Sequence, residues 1–385
     1  MPLSDTVTET MTTPSFNRVE IDLAALSHNY RAIQNSVGKG VEIMAVIKSD
    51  AYGHGLIRGA EALAGAGAAT FGVAEVEEGV ALRENGITGN IVVMLGCSED
   101  GFEDVLDYRL QPVVFDPDVL ENLSKFAGEH GKTVPVHVKM DLGMGRLGIL
   151  PEQIADFLAR LKNLKGVTPV GFISHFPLAD SPDRQKTRDQ SRRFGEIMQE
   201  VQQILGGKCV SHIANSAALL RLPETHFDMV RPGIALYGCP PVTPETMHSE
   251  LSLRPVMRFT TRIIQIKQVP AGCGISYGHT YLTDRPTKVA VLPVGYDDGY
   301  LRSLSSQGQV LIRGRRAPVI GRICMNACMV DVTDIGDVVT GDEAVLLGCQ
   351  KEESITADEV AGWMNTISYE VLCLFGGKNT RIYKN

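Results

Sequence analysis

Lys48 ends a nearly unbroken apolar run of Val41, Ile43, Met44, Ala45, Val46 and Ile47, and is followed by Ser49-Asp50-Ala51-Tyr52-Gly53-His54-Gly55. A run apolar on both faces reads as a strand of a parallel sheet covered by helices. An amine at the polar tip of such a strand has its stem in an apolar wall and its head at a mouth. Desolvation there favours the neutral amine that a nucleophilic or Schiff-base lysine needs. On this segment alone, a lysine that merely snorkels at a strand end is an equal alternative. Other segments place further reactive side chains at corresponding positions: Lys139 and Asp141, then Arg146 within Gly143-Met144-Gly145-Arg146; His175; Asn215 and Ser216; and Arg231 followed by Gly233 and Ile234. Singly, His175 reads as a satisfied core histidine and Arg231 as a structural ion pair. Converging on one mouth, they favour Schiff-base chemistry with a phosphate-bearing cofactor. Ser216 and the N–H groups of Gly233 and Ile234 would hold the phosphate, and an arginine near a pyridine nitrogen would tune the electron sink.

The elements that must carry these residues follow a repeating pattern. A short strand over 16–23 and a helix over 23–36 precede the Lys48 strand. Strands are then expected over 70–74, 90–95, 111–115, 134–141, 168–175, 209–215 and 228–237. Helices are expected over 75–85, 99–108, 117–129, 151–163 and 183–205, with a short one reaching 222. Eight strands from Glu42 onward, alternating with helices in roughly 200 residues, point to parallel βαβ units closed into a (β/α)8 TIM-like barrel, whose chemistry sits at the strand C-termini. An open doubly wound sheet is the competitor, but no strand leads into a Gly-x-Gly-x-x-Gly helix start. After Pro255 the texture changes to β-branched residues and Gly/Pro turns, with strands expected over 259–268, 288–294, 309–312, 318–323, 329–332, 344–347 and 380–383 and a helix over 357–374. The expected organisation is a loose tail over 1–17, a barrel over 18–253 and a mostly antiparallel β domain over 254–385, with a boundary near Pro240, Pro241 and Pro244. The strand at 18–23 is a candidate partner for the β domain instead of the barrel.

Composition narrows the function classes. At 385 residues and 44% hydrophobic, the chain can bury a sizeable core, and a net charge of −8 argues against a nucleic-acid footprint. Eight scattered cysteines without a Cys-x-x-Cys pair or grouped histidines read as reduced thiols, mostly in the core of a cytoplasmic protein, and no metal site is expected. The Thr/Ser-rich start has no apolar core of a signal peptide, and no stretch approaches a membrane span.

Taken together, the segments AVIKSDAYGHG (45–55), VHVKMDLGMGRLG (136–148), SHF (174–176), HIANSA (212–217), VRPGIALYG (230–238), ISYGHTY (275–281), PVGYDDGY (293–300) and GRICM (321–325) are similar, in this order, to the alanine racemases, which are fold-type III pyridoxal phosphate (PLP) enzymes. The resemblance runs from about Arg18 to the C-terminus. It implies a homodimeric cytoplasmic enzyme that racemises L-alanine to D-alanine for peptidoglycan. It implies that Lys48 carries PLP and is the base on one face of the substrate, while Tyr277 from the partner subunit's β domain is the base on the other. It also assigns Arg231 to the pyridine nitrogen, His175 to the link between Arg231 and Tyr277, and Tyr52, Ser216, Gly233 and Ile234, beside Asn215, to the phosphate. Arg146 goes to the cofactor's phenolic oxygen and the substrate, positioned by Lys139, which is often carbamylated in the family. Met325 offers a backbone N–H to the substrate carboxylate, with Tyr296 and Asn326 in support.

The two-base logic is physical, because one base cannot easily reach both faces of Cα. A phenol is a poor base at neutral pH, and the charged network through His175 and Arg231 is the means of activating it. An arginine stays charged and cannot give the ring a proton, which weakens the sink and disfavours side reactions. The chain departs from the family pattern at Asn326, where an aspartate is usual, and at Ile173, where an aromatic is common. Gly376-Gly377 stands where some members supply a phosphate-binding tyrosine. These departures leave open a broader specificity that includes serine. A decarboxylase of the same fold type would use a carboxylate where Arg231 stands. A non-catalytic PLP-binding homeostasis protein would lack the β domain.

Overall fold

The computed structural model describes residues 15–248 and 251–385. Most of the tail expected over 1–17 therefore lies outside the described residues. Two compact units divide the chain, one over residues 22–256 and the other over 257–383 with the segment ending at Ile21.

The first unit is an eight-stranded parallel barrel. Its strands are Glu42–Val46, Thr70–Val73, Asn90–Val93, Gln111–Val114, Val134–Lys139, Val167–Ile173, Val210–His212 and Met229–Val230. Each of the first six pairs in parallel with the next, and the first also pairs with the eighth through Glu42↔Met229 and Ile43↔Val230. The remaining seam, between the seventh and eighth strands, is closed by single bonds. Asp228 N–H donates to Ser211 O at 3.0 Å and Arg231 N–H to Ala214 O at 2.9 Å. The Asp228 carboxylate also accepts from the Ser211 N–H and hydroxyl. Met44, Val92, Val113, Ile173 and Met229 fill part of the interior with Met94 and Phe115, so the barrel is a packed core and not a pore.

Helix starts follow local chemistry. Asp22 accepts from Ala25 N–H at the head of Leu23–Ser36, and Asp116 accepts from Asp118 and Val119 N–H ahead of Pro117–Glu129. The eighth strand is shorter than the sequence suggests. It stops at Val230, and Ile234–Tyr237 forms a 3-10 turn, because Pro232 has no N–H for a ladder and Gly233 turns away at φ −115°, ψ −91°. Asn29, fully buried in the first helix, holds this turn. It donates to Leu236 O at 2.9 Å and Arg254 O at 2.8 Å, and accepts from Arg254 N–H at 2.7 Å.

The second unit is mostly antiparallel. One sheet runs Arg315–Pro318, Gln309–Ile312, Glu343–Gln350, Met257–Arg262, Arg18–Asp22 and Arg381–Lys384, so the first strand of the chain pairs here. A second sheet holds Gln265–Val269, Thr287–Leu292 and Cys328–Asp331. A short hairpin, Gly274–Ile275 with Tyr281–Leu282, carries Tyr277. Three expectations are corrected. The strand expected over 259–268 is two strands, because the chain leaves one sheet for the other at Ile263 and Ile264. Of 318–323, only Pro318 lies in a strand, Arg315–Pro318. The helix expected over 357–374 is two, Ala357–Met364 and Ser368–Lys378, broken where Asn365 takes a left-handed conformation that asparagine tolerates. The cysteines are all free, but only Cys209, Cys239 and Cys328 are buried, so they are not mostly core.

Asn29→Ala strips the buried Leu236 carbonyl and the partly buried N–H and carbonyl of Arg254 of their partner, and we expect it to lower stability by about 1–3 kcal/mol, read from the midpoint of urea unfolding.

Candidate active site

At the C-terminal end of the first barrel strand the chain does something no sequence rule anticipates. Ser49 (φ 54°, ψ 54°), Asp50 (φ 54°, ψ 46°), Ala51 (φ 53°, ψ 48°) and Tyr52 (φ 55°) are four consecutive non-glycine residues in the left-handed region. Left-handed helix costs an L-residue ~1–2 kcal/mol, and it rarely extends beyond one residue. The turn is internally bonded, with Ala51 N–H donating to Ile47 O at 2.8 Å and Gly53 N–H to Ser49 O at 3.2 Å. It ends on Gly53 and Gly55, also at positive φ, before the helix Leu56–Gly65. The turn leaves Lys48 half-buried at the strand tip and swings Tyr52 back into the barrel mouth.

Tyr52 is buried against Tyr237, with ring centroids 4.9 Å apart. Its hydroxyl lies so close to Gly233 that any side chain there would collide with it. Ser216 completes the corner, its Oγ accepting from Gly233 N–H at 2.9 Å and Ala235 N–H at 3.4 Å. Two hydroxyls over a glycine floor thus form a cradle that only the lack of a Cβ keeps open. Asn215 acts on the backbone instead. Its Oδ1 accepts from Ala218 N–H at 3.1 Å and its Nδ2 donates to Phe176 O at 3.2 Å, so its side chain caps the helix Ser216–Arg221.

Arg231 is 3% exposed. It donates to Ser174 O at 2.6 Å, Ile213 O at 3.2 Å, His212 Nδ1 at 3.2 Å and His175 Nδ1 at 3.4 Å. A guanidinium can only donate, so both imidazoles must accept on Nδ1 and carry their hydrogen on Nε2. From His212 the direction propagates. Its Nε2 donates to His137 Nδ1 at 3.0 Å, and His137 Nε2 then donates to Gln111 Oε1 at 3.1 Å. Charge supports the same assignment. Burial, then Arg231, hold His137 down to about 4 and His212 well below the usual histidine range. Burial, then Arg231, Lys139, Arg146 and Lys48, hold His175 down to about 2. Burial also lowers Arg231 itself to about 9, which leaves it charged at neutral pH.

Lys139, buried at the end of the fifth strand, is drawn down to about 7 by burial, Arg231 and Arg146. Arg146 is exposed on a loop organised by Asp141. One Asp141 oxygen accepts from the N–H groups of Gly143, Met144 and Gly145 (2.8–3.2 Å) and the other from Arg146 N–H at 3.0 Å. Burial pulls the Asp141 carboxyl upward, but these four bonds outweigh it and the net shift is downward. The mouth therefore gathers Lys48, Lys139, Arg146 and Arg231, while the Asp141 carboxylate is committed to backbone. That donor set, with the hydroxyl cradle, fits a phosphate-bearing anionic cofactor.

In the second unit, Tyr277 is 68% exposed at the tip of its hairpin. Ser276 fixes the approach at φ 61°, its hydroxyl donating to Arg322 O at 2.6 Å and lying 3.6 Å from Cys324 Sγ. That contact joins the hairpin to the turn bearing Met325 and Asn326. Tyr296 N–H in turn donates to Cys324 O at 3.2 Å, Asp297 N–H to Met325 O at 3.1 Å, and Asn326 Nδ2 to Asp297 Oδ2 at 3.4 Å. Tyr277, Tyr296, Met325 and Asn326 are thus carried by one interconnected set of turns, with Tyr277, Cys273, Ser276 and Cys324 lining a cavity of about 510 Å³.

Residues 21–241 match the family model for the alanine racemase N-terminal domain and residues 256–383 that for the C-terminal domain. The chain belongs to the alanine racemase family. It is 41% identical to the alanine racemase of Halothermothrix orenii over 95% of this chain and 96% of that one, and 44% identical to that of Syntrophobacter fumaroxidans over 95% and 97%. Among solved structures it resembles alanine racemase from D-cycloserine-producing Streptomyces lavendulae (TM-score 0.91, 37% identity, 97% of this chain and 98% of that one). It also resembles alanine racemase from Bartonella henselae, solved with covalently bound pyridoxal phosphate (TM-score 0.87, 28% identity, 96% and 100%). Against this family background, three residues of the Arg231 chain went unassigned from sequence: His212, His137 and Gln111. The two histidines lie inside the quoted motifs, and for His137 the flanking Val136 and Val138, which leave its side chain facing into the barrel, were the signal that could have found it.

The lowered Lys139 has a measurable consequence. Between about pH 7 and the ordinary lysine value the unfolded chain holds a proton at this residue that the folded chain does not, so folded stability rises with pH across that window and is flat below it. The difference in unfolding free energy between wild type and Lys139→Met should move in favour of wild type from pH 7 to pH 10. It should be constant below pH 7, in buffers freed of carbon dioxide.

Proposed function

We propose that this chain interconverts L- and D-alanine with pyridoxal phosphate, as a cytoplasmic homodimer in which each barrel is completed by the β unit of the other copy. The observation that carries the reading is the buried Arg231 set among cations and facing no carboxylate among the described residues, in the mouth that also holds Lys48 and the hydroxyl cradle. Lys48 would hold the cofactor, Tyr52, Ser216, Gly233 and Ile234 its phosphate, Arg231 its pyridine nitrogen and Arg146 its phenolic oxygen. When bound, pyridoxal phosphate acidifies the α-hydrogen of an amino acid attached to it by withdrawing electrons from Cα.

The chain's own groups then divide the work. Lys48 moves a proton at Cα on the D-alanine side. The partner subunit's Tyr277 moves one on the L-alanine side. His175, accepting from Arg231 on Nδ1, keeps its Nε2 hydrogen for that phenol, so Arg231 supports the second base through an imidazole that stays neutral. Met325 and Arg146 would hold the substrate carboxylate. Lys139, held down to about 7 by burial and then by Arg231 and Arg146, has a substantial neutral fraction at neutral pH; that amine form would add carbon dioxide, forming a carbamate N–C bond and releasing a proton, and the product would be an anion for Arg146. The dimer is supported by the exposure of Tyr277, Leu282, Met325 and Tyr296, large side chains on the second unit that water alone would cover. The eight free cysteines support a reducing compartment.

Mixing supplies the decisive experiment. Lys48→Ala and Tyr277→Phe are each expected to be nearly inactive. Unfolded and refolded together in equal amounts, they should recover about a quarter of wild-type activity, because half the dimers are mixed and each has one intact site. No recovery would mean that both residues serve the same site from one chain. At the entrance, Asn326→Asp restores the carboxylate usual in the family and is expected to raise the preference for alanine over serine. An unchanged ratio of kcat/KM values for the two substrates would remove Asn326 from specificity.

A further inference from the structure

The left-handed turn after Lys48 begins with the N–H groups of Ser49 and Asp50. Both donate to one oxygen of Glu78, at 2.6 and 3.3 Å. The other oxygen of Glu78 accepts from Ala74 N–H at 2.6 Å. Ser49 follows Lys48 directly, and Ala74 follows the second barrel strand, Thr70–Val73, directly. A single carboxylate, on the first turn of the helix Val76–Glu84, therefore ties the peptide beside Lys48 to the end of the neighbouring strand. At the far end of the turn Asp50 adds a second clamp, its Oδ1 accepting from Leu56 N–H at 2.7 Å.

We propose that Glu78 is a positioning residue for Lys48: its carboxylate holds the left-handed turn and so fixes the direction in which the lysine side chain leaves the backbone. This rests on the reading of Lys48 as the cofactor-holding base. Four non-glycine residues in this conformation need an outside restraint, and three converging N–H donors need a group that only accepts. Glutamine fails at one of the two contacts, where its amide would present a donor to a donor. Aspartate keeps both oxygens on a stem one methylene shorter. If the turn relaxes, Cβ of Lys48 swings and the amine is displaced, and a displacement of ~1 Å costs roughly 100-fold in a positioned reaction.

The test compares wild type, Glu78→Gln and Glu78→Asp. In the protein without cofactor, amide hydrogen exchange of a peptide covering 47–55 should accelerate in Glu78→Gln, while peptides from Val134–Lys139 and Val167–Ile173 keep their wild-type rates. In the loaded enzyme kcat should fall about 10–100-fold, with KM for alanine within roughly 3-fold. The α-deuterium isotope effect should rise with D-alanine, where Lys48 moves the proton, and not with L-alanine. Glu78→Asp should fall between the two. A kcat for Glu78→Gln within about 2-fold of wild type, an isotope effect rising equally for both enantiomers, or faster exchange throughout the barrel would overturn the proposal. Borohydride reduction of loaded wild type, followed by peptide mapping, separates the two layers. Cofactor on a lysine other than Lys48 overturns the underlying reading. Cofactor on Lys48, with Glu78→Gln indistinguishable from wild type, overturns the role of Glu78 alone.

Discussion

A guanidinium enclosed in a barrel imposes donors on everything around it. Arg231 cannot accept a hydrogen bond, so the backbone beyond the sixth and seventh strands turns the carbonyls of Ser174 and Ile213 inward to meet it, and two histidines must present bare Nδ1 atoms. Removing such a cation from water is costly unless every donor is met, and here carbonyls and imidazoles meet it in place of a carboxylate. The ordinary reading of Arg231 as half of a structural ion pair is therefore not what the fold builds. Its own backbone N–H closes the barrel seam on Ala214, so the residue that fixes the electrostatics also joins the last strand to the seventh.

The carboxylates complete this picture by their use. Asp141 is saturated by four backbone N–H groups and Glu78 by three, and neither forms a salt bridge with a cation of the mouth. Each shapes a loop: Asp141 the one that ends on Arg146, Glu78 the turn that begins after Lys48. Lys139 and His175 are shifted downward by burial first and then by the neighbouring positive charges. A site built in this way leaves counter-charge to whatever binds. This is the electrostatic complement of a phosphate ester carrying an amino acid carboxylate.

Much of this was legible in the chain. Strand and helix periods are local properties, so the eight strands, the helix at Leu23–Ser36 and the change to β structure after Pro255 can be read from residue spacing. Lys48, Lys139, His175 and Arg231 were legible as strand-end residues because a parallel barrel sends all its strand ends to one mouth. The shortened eighth strand and the broken helix at Asn365 were less legible, since each depends on one residue whose backbone preference is weak until neighbours select it.

By itself, the sequence determined the element order, the two-part architecture and the set of ionisable side chains that meet in the barrel. Tertiary structure alone decided which of them are charged and which way their hydrogens face, because desolvation and donor direction are set by surroundings distant in the chain. His137 and His212 are 75 residues apart, yet share a hydrogen bond. The left-handed turn after Lys48 belongs to the same class: no local preference favours it, and it is held by a carboxylate 29 residues away, across the top of the neighbouring strand.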